Sequence, residues 1–234
     1  MKLSIIIPAY NEENTILEIL RRIEVVDLGD INKEIIIIDD GSTDGTRDIL
    51  RGPEQSDKYK IFYQKKNCGK GAALRRGFKE ATGDFIVIQD ADLEYDPADL
   101  PIMLAPILNG RASIVFGSRA LRKNNVPFSA IYFYGGILLS KIFNILFGTK
   151  LTDIATCYKL FPRKFVPQLM HLATNNFVFD VVEITYSLSG LGNIVEVPIS
   201  YKARSKKSGK KMSALHGIKC LFTMLRIKLS SHVF

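Results

Sequence analysis

The chain has 234 residues, 47% of them hydrophobic and 24% charged. That length suffices for one α/β domain with a full core, or one domain with an appendage, and the apolar content with ordinary charge excludes a disordered chain. The formal net charge is +8, and its spread is uneven: no acidic residue follows Glu196, while Lys202, Arg204, Lys206, Lys207, Lys210, Lys211, Lys219, Arg226 and Lys228 all do. Such a tail seeks polyanions, whether nucleic acid, phosphorylated substrate or anionic lipid. Cys68, Cys157 and Cys220 are far apart and form no Cys-x-x-Cys pair, so neither a disulfide framework nor a zinc site is expected. That usage fits a reducing cytosol.

The chain opens with a strand over Leu3 to Ile7, stopped by Pro8. Its apolar run is too short for a signal-peptide core. The loop Tyr10-Asn-Glu-Glu13 leads to Asn14, a candidate cap for a helix with Ile16, Ile19, Leu20 and Ile23 on one face. Glu34 to Ile38 is a continuous β-branched run, the kind buried on both faces of a parallel sheet. The turn-rich loop Asp39 to Thr46 and a short helix over Arg47 to Leu50 follow. Ile61 to Tyr63 reads as a short strand, and Gly69-Lys70-Gly71 opens a helix with Ala73, Leu74, Gly77 and Phe78. The Thr82-Gly83-Asp84 turn then introduces the strand Phe85 to Ile88. Strands and helices alternating at this spacing predict right-handed crossovers and a mostly parallel sheet.

Three strands end in polar loops: Pro8 to Glu12, Asp39 to Ser42, and Asp90 to Asp92. In a parallel sheet these meet at the carboxyl edge, where open α/β sheets bind ligands. Tyr10 offers a ring for stacking, and Asp40 can accept hydrogen bonds from ring or ribose donors. Strand alternation would point residues 90, 92 and 94 to one side. Clustered carboxylates repel one another unless a cation lies between them, and hard oxygen donors suit Mg²⁺ or Mn²⁺. Gly69-Lys70-Gly71 fails as a phosphate-binding P-loop, because position 64 is Gln and position 71 is Gly. It reads as a helix cap, although a helix N-terminus bearing Lys70 could attract a phosphate.

Pro8-Ala-Tyr10-Asn-Glu12, Ile36-Ile-Ile38-Asp-Asp40-Gly-Ser, Gly69-Lys-Gly71, Ala81-Thr-Gly-Asp84, Asp90-Ala-Asp92-Leu and Gly117-Ser-Arg119 stand in the order seen in family 2 glycosyltransferases. With Glu196-Val-Pro-Ile-Ser200, Arg204 and Lys210, the chain further resembles dolichyl- or polyprenyl-phosphate hexosyltransferases across roughly residues 3–212. The resemblance implies a GT-A fold, a mostly parallel Rossmann-like sheet flanked by helices, as a catalytic domain over 1–212. It implies a GDP- or UDP-hexose donor, Mg²⁺ or Mn²⁺, and inversion at the anomeric carbon on transfer of mannose or glucose to a polyprenyl phosphate. Pro8, Tyr10, Glu12, Ile38, Asp40, Asp90 and Ala91 would hold the nucleotide. Asp92 would bind the metal, with Asp90 and Glu94 as helpers, and Arg119, Arg204 and Lys210 would meet phosphates. Asp180, in Asn176-Phe-Val-Phe-Asp180, is open to three readings: a general base for a hydroxyl on a glycan or lipid, a wall of the sugar pocket, or a helix start favoured by the helix dipole. The basic segment 201–212 reads as an acceptor loop closing over phosphorylated substrates.

Two apolar stretches bear on location. Residues 131–148 approach the length of a spanning helix, but Lys141 and Asn144 interrupt them. They read as a helix in the bilayer interface, against a partner helix, or in the core. Residues 213–234 predict a basic amphipathic helix with Leu215, Ile218, Leu221, Phe222, Leu225 and Leu229 on one face. Either interfacial anchoring or packing on the domain would use that face. Together they predict a peripheral protein at an anionic cytoplasmic leaflet. No nucleic-acid-binding module accompanies the charge, so no nucleic-acid partner is expected.

Overall fold

The structure, a computed structural model, describes residues 1–123, 125, 130–204 and 214–230. Seven strands form one sheet: β1 (Lys2–Ala9), β2 (Asn32–Asp39), β3 (Tyr59–Tyr63), β4 (Phe85–Ile88), β5 (Ile114–Ser118), β6 (Lys159–Pro162) and β7 (Ile194–Pro198). The helices are α1 (Ile16–Val25), α2 (Thr46–Glu54), α3 (Lys70–Glu80), α4 (Leu100–Leu108), α5 (Ala130–Phe147), α6 (Val166–Met170), α7 (Thr185–Ser189) and α8 (Ala214–Ser230). A π-helical segment, Phe179–Ile184, runs directly into α7.

The strand order is β3-β2-β1-β4-β6-β5-β7. β1 pairs in parallel with β2 and β4, β2 with β3, and β5 with β7; β6 alone runs antiparallel to its neighbours. The isoleucine runs Ile5–Ile7 and Ile35–Ile38 are buried in the core, as a sheet covered on both faces requires. From β1 the chain steps outward to β2 and β3, then returns past β1 to lay down β4. This reversal leaves a crevice beyond the carboxyl ends of β1 and β4, where ligands bind in open α/β sheets.

Two local expectations are corrected. Pro8 does not stop the first strand, which continues to Ala9 with Pro8 opposite Ile38. The missing N–H of Pro8 faces the β4 side, where pairing has already ended at Ile6 and Ile88. Asn14 does not cap α1: Thr15 holds the cap position, and its hydroxyl donates to the Glu12 carboxylate at 2.8 Å.

Among the described residues, no helix is long and apolar enough to cross a membrane. α8 packs on α5 and on the π-helical segment through Cys220, Thr223 and Met224, which are buried. Arg226 reaches Glu183 at 3.4 Å. The apolar stripe read from the sequence therefore mostly faces away from the domain. Leu221 is half-buried, but Leu215, Ile218, Leu225 and Leu229 are exposed and Phe222 is 72% exposed. Tyr134, Leu138 and Ile145 of α5 are exposed as well.

Candidate active site

A cavity of about 230 Å³ lies at the carboxyl edge between β1 and β4. The end of β1 and the loop after it bring Pro8, Tyr10 and Glu12 to it, the turn after β2 brings Asp40, the loop after β4 brings Asp90, Ala91, Asp92 and Glu94, and the turn after β5 brings Arg119. Asp180 and Arg204 close it from later in the chain. Ile38 belongs instead to the buried core of β2 and does not line the cavity. Lys210 lies outside the described residues, as does 205–212 of the expected acceptor loop.

The three carboxylates after β4 reach one cavity by a different route from strand alternation. The strand ends at Ile88, and Asp90 to Glu94 form a turn with Leu93 at φ 60°. Each carboxylate then meets its own partner. Asp90 lies 2.7 Å from the Lys70 ammonium. Asp92 lies 3.0 Å from the Arg204 guanidinium and accepts the Glu94 N–H at 3.0 Å. Glu94 accepts the Tyr201 hydroxyl at 2.7 Å and the Arg204 N–H at 2.6 Å. Both Glu94 oxygens therefore anchor the segment 201–204, and Glu94 is corrected from metal helper to anchor. Among the described residues, no three acidic, His or Cys side chains converge as a metal cage.

Asp92 is nevertheless poised for a cation. Burial and the neighbouring charges of Asp90 and Glu94 push its carboxyl up to about 7, against the opposing pull of Arg204. A divalent ion would relieve that repulsion. Mg²⁺ or Mn²⁺ held by one or two carboxylates, with its other ligands from water or substrate phosphate, is the ordinary arrangement for these ions. Asp92 and Asp90 fit that arrangement without a third protein ligand.

Asp40 is occupied by the protein itself. Its oxygens accept from Gln64 Nε2 at 3.0 Å, Cys68 N at 2.9 Å and Gly69 N at 2.8 Å, and burial raises its carboxyl above the usual value. It fastens the loop before α3 to the end of β2. On the other side, the Gly71 N–H donates to the Asn175 carbonyl at 2.8 Å. A Cβ on Gly69, which is at φ +94°, would come within 2.4 Å of that carbonyl oxygen; on Gly71, one would come within 2.7 Å of Phe179. Only glycine allows this approach.

The loop so fastened presents Lys70 to the cavity, where it does more than open a helix. Its ammonium bridges Asp90 and Asp180, at 2.7 Å and 2.9 Å. Asp180 is buried and also pairs with Lys159 at 3.0 Å. Burial alone would raise the Asp180 carboxyl, but the two lysine charges outweigh it and hold it below the usual range. A carboxylate so held is a poor general base. A lysine amid the apolar Cys157-Tyr-Lys-Leu-Phe161 stretch signals a buried partner, and Lys159 has one in Asp180.

The arginines are likewise matched within the protein. Arg119 forks onto Asp153, with Nε to Oδ2 at 2.7 Å and Nη2 to Oδ1 at 2.8 Å, beneath the Tyr201 ring. Burial opposes ionisation of Asp153, yet Arg119 keeps its carboxyl below the usual value. Arg204 spans the cavity, bonding Glu12 at 2.9 Å and 3.2 Å as well as Asp92. Its Nε is buried with no hydrogen-bond partner among the described residues. Glu12 thus holds Arg204, a role not read from the sequence.

The glycosyl transferase family 2 pattern matches residues 4–170, and the chain belongs to that family. The dolichol-phosphate mannosyltransferase of Pyrococcus furiosus is 34% identical over 218 residues, covering 90% of this chain and 59% of that protein. The undecaprenyl-phosphate 4-deoxy-4-formamido-L-arabinose transferase of Pseudomonas syringae pv. syringae is 40% identical over 101 residues, 42% of this chain and 30% of that one. The chain thus spans well under two thirds of either relative. In fold it is similar to the glucosyl-3-phosphoglycerate synthase of Mycobacterium tuberculosis solved with uridine diphosphate. The TM-score is 0.73 at 20% identity, covering 97% of this chain and 80% of that one. The fold is GT-A, as the resemblance implied.

Proposed function

We propose that the chain moves a hexose, mannose or glucose, from a GDP- or UDP-sugar to a polyprenyl phosphate at a cytoplasmic membrane surface, with inversion at the anomeric carbon. One juxtaposition carries this reading: the carboxylate cavity opens beside a helix whose outward face is apolar. Phe177 lines the cavity and packs on His216, in the first turn of α8, with ring centroids 5.8 Å apart. The exposed apolar residues of α8 begin next to it at Leu215. A reacting head group in the cavity would thus stay attached to a chain in the bilayer. The relatives described above act on dolichol phosphate and undecaprenyl phosphate by name, and the reading adopts that acceptor class.

In this reading Pro8, Tyr10, Ala91 and Asp90 hold the nucleotide, with Tyr10 stacking on the base. Asp92 and Asp90 hold Mg²⁺ or Mn²⁺, which supplies positive charge where the leaving diphosphate develops negative charge. Arg204 swings from Asp92 to a phosphate, where its unpartnered Nε–H finds an acceptor. Lys210 and its neighbours add charge from the acceptor loop. The acceptor phosphate monoester is already largely ionised near neutral pH, so it needs alignment rather than deprotonation. Its oxygen forms a bond to the anomeric carbon as the bond to the diphosphate oxygen breaks on the opposite face.

The second reading, transfer to a hydroxyl with Asp180 as base, is weakened by the two lysines on Asp180. Incubation with radiolabelled UDP- and GDP-hexoses, membrane lipid extract and Mn²⁺ separates the two. Label in an organic-soluble, mild-acid-labile lipid is expected; label only in an acid-stable lipid or glycan would overturn the phosphate acceptor.

A further inference from the structure

Three carboxylates of the cavity, Glu12, Asp90 and Asp92, each face a cation of the protein. Arg204 serves Glu12 and Asp92, and Lys70 serves Asp90. Lys70 differs from Arg204 in being fixed. It is the first residue of α3, its loop is tied by Asp40 on one side and by Asn175 on the other, and its ammonium already has a second partner in Asp180. Asp180 is backed by Lys159, whose side chain is fully buried and whose ammonium also donates to the Thr156 carbonyl. Asp90, Lys70, Asp180 and Lys159 thus form a line of alternating charge with no net charge, running from the cavity into the core.

We propose that Lys70 is an internal counter-cation that competes with the divalent ion for Asp90, and that the buried Asp180–Lys159 pair sets the strength of that competition. This deepens the donor-site reading above and rests on it. A divalent ion reaching Asp90 and Asp92 must take Asp90 from an ammonium 2.7 Å away. Lys70 can yield Asp90 because Asp180 still holds it, so no buried ammonium is left bare. A bare ion meets this opposition in full. An ion arriving with a diphosphate brings an anion for Lys70 to face, and the opposition falls. Lys70 and Asp180 are then positioning residues that suppress loading by a free ion.

The test is Mn²⁺ binding by electron paramagnetic resonance, with Mn²⁺ alone and then with UDP or GDP. Lys70→Met removes the competitor and should tighten Mn²⁺ binding without nucleotide by about tenfold or more, since a like charge beside a ligand disfavours a cation. The double variant Asp180→Asn/Lys159→Met keeps the core neutral while leaving Lys70 with Asp90 alone. It should weaken Mn²⁺ binding. A merely structural role for Lys70 predicts no tightening. If the wild type binds Mn²⁺ and Lys70→Met binds no tighter, the competition is overturned while the donor-site reading stands. If the wild type binds no Mn²⁺ even with either nucleotide, both are overturned.

Discussion

Asp92 concentrates the chemistry of the site in one carboxyl. Its value of about 7 lies above the unfolded one, so the stability it contributes is present at low pH and is lost as pH rises through about 7. Asp92→Asn keeps the shape without the charge. In EDTA at pH 8 the variant should melt higher than the wild type, by about 2–4 °C for each kcal/mol recovered, and the gap should narrow below about pH 7 and close only by about pH 4, the ordinary carboxylate value. Transfer should fall by about 10²-fold or more, as when a group that stabilises developing charge is removed. Melting curves at the two pH values and a label-transfer assay check both outcomes, and an active Asp92→Asn protein would sink the donor-site reading. Asp180 has the opposite sign. Its carboxyl is held below the usual range, so its stabilisation is present at neutral pH and is lost only on acidification below the ordinary carboxylate value. Asp180→Asn alone leaves Lys159 buried without its charge partner and should cost about 3–5 kcal/mol; adding Lys159→Met should restore most of that. Chemical denaturation of both variants measures the difference.

At the scale of the element, α8 divides its residues between two surroundings. Cys220, Thr223 and Met224 face the domain, while Leu215, Ile218, Phe222, Leu225 and Leu229 face outward. A contiguous exposed apolar strip of this kind marks an interaction site in soluble proteins. Lys219 and Arg226 are exposed alongside it, the charge pattern that suits an anionic bilayer. Replacing Phe222 and Leu225 together by Ser should lower binding to anionic vesicles by about 10²-fold or more, from roughly 1.5–3 kcal/mol lost for each of the two side chains. The melting temperature should barely move, because neither side chain packs on the core. Vesicle sedimentation beside a thermal melt tests this, and unchanged vesicle binding would remove α8 from the membrane reading.

For the whole molecule, the sheet brings groups far apart in sequence to one cavity, so ligand binding should report on the entire fold. A nucleoside diphosphate with Mn²⁺ at about 100 times its Kd should stabilise the chain by about 2.7 kcal/mol. Comparing thermal shifts for UDP and GDP identifies the base, and neither giving a shift would count against the nucleotide site. Arg204 ties this molecule-wide logic together, since one side chain joins the loop after β1 at Glu12 to the loop after β4 at Asp92.

Much of this was legible in the residues alone. The isoleucine runs of β1 and β2 could only be strands buried on both faces, and the Asp-x-Asp after β4 had to fall at the carboxyl edge once the sheet was parallel. Both follow from local periodicity and crossover handedness. Strand alternation could not foresee how the carboxylates are shared out, because β4 ends before them and a turn takes over. Nor could it assign Lys70 and Lys159 to Asp180, or Asp153 to Arg119, since those partners are distant in sequence. The outward turn of the α8 stripe was equally hidden: one apolar face does not say whether the domain or another surface will cover it, and the domain takes the side with Cys220, Thr223 and Met224. Local chemistry determined the strands and the family; the pairing of buried charges and the choice of buried face were decided only by tertiary packing, which brings distant residues together.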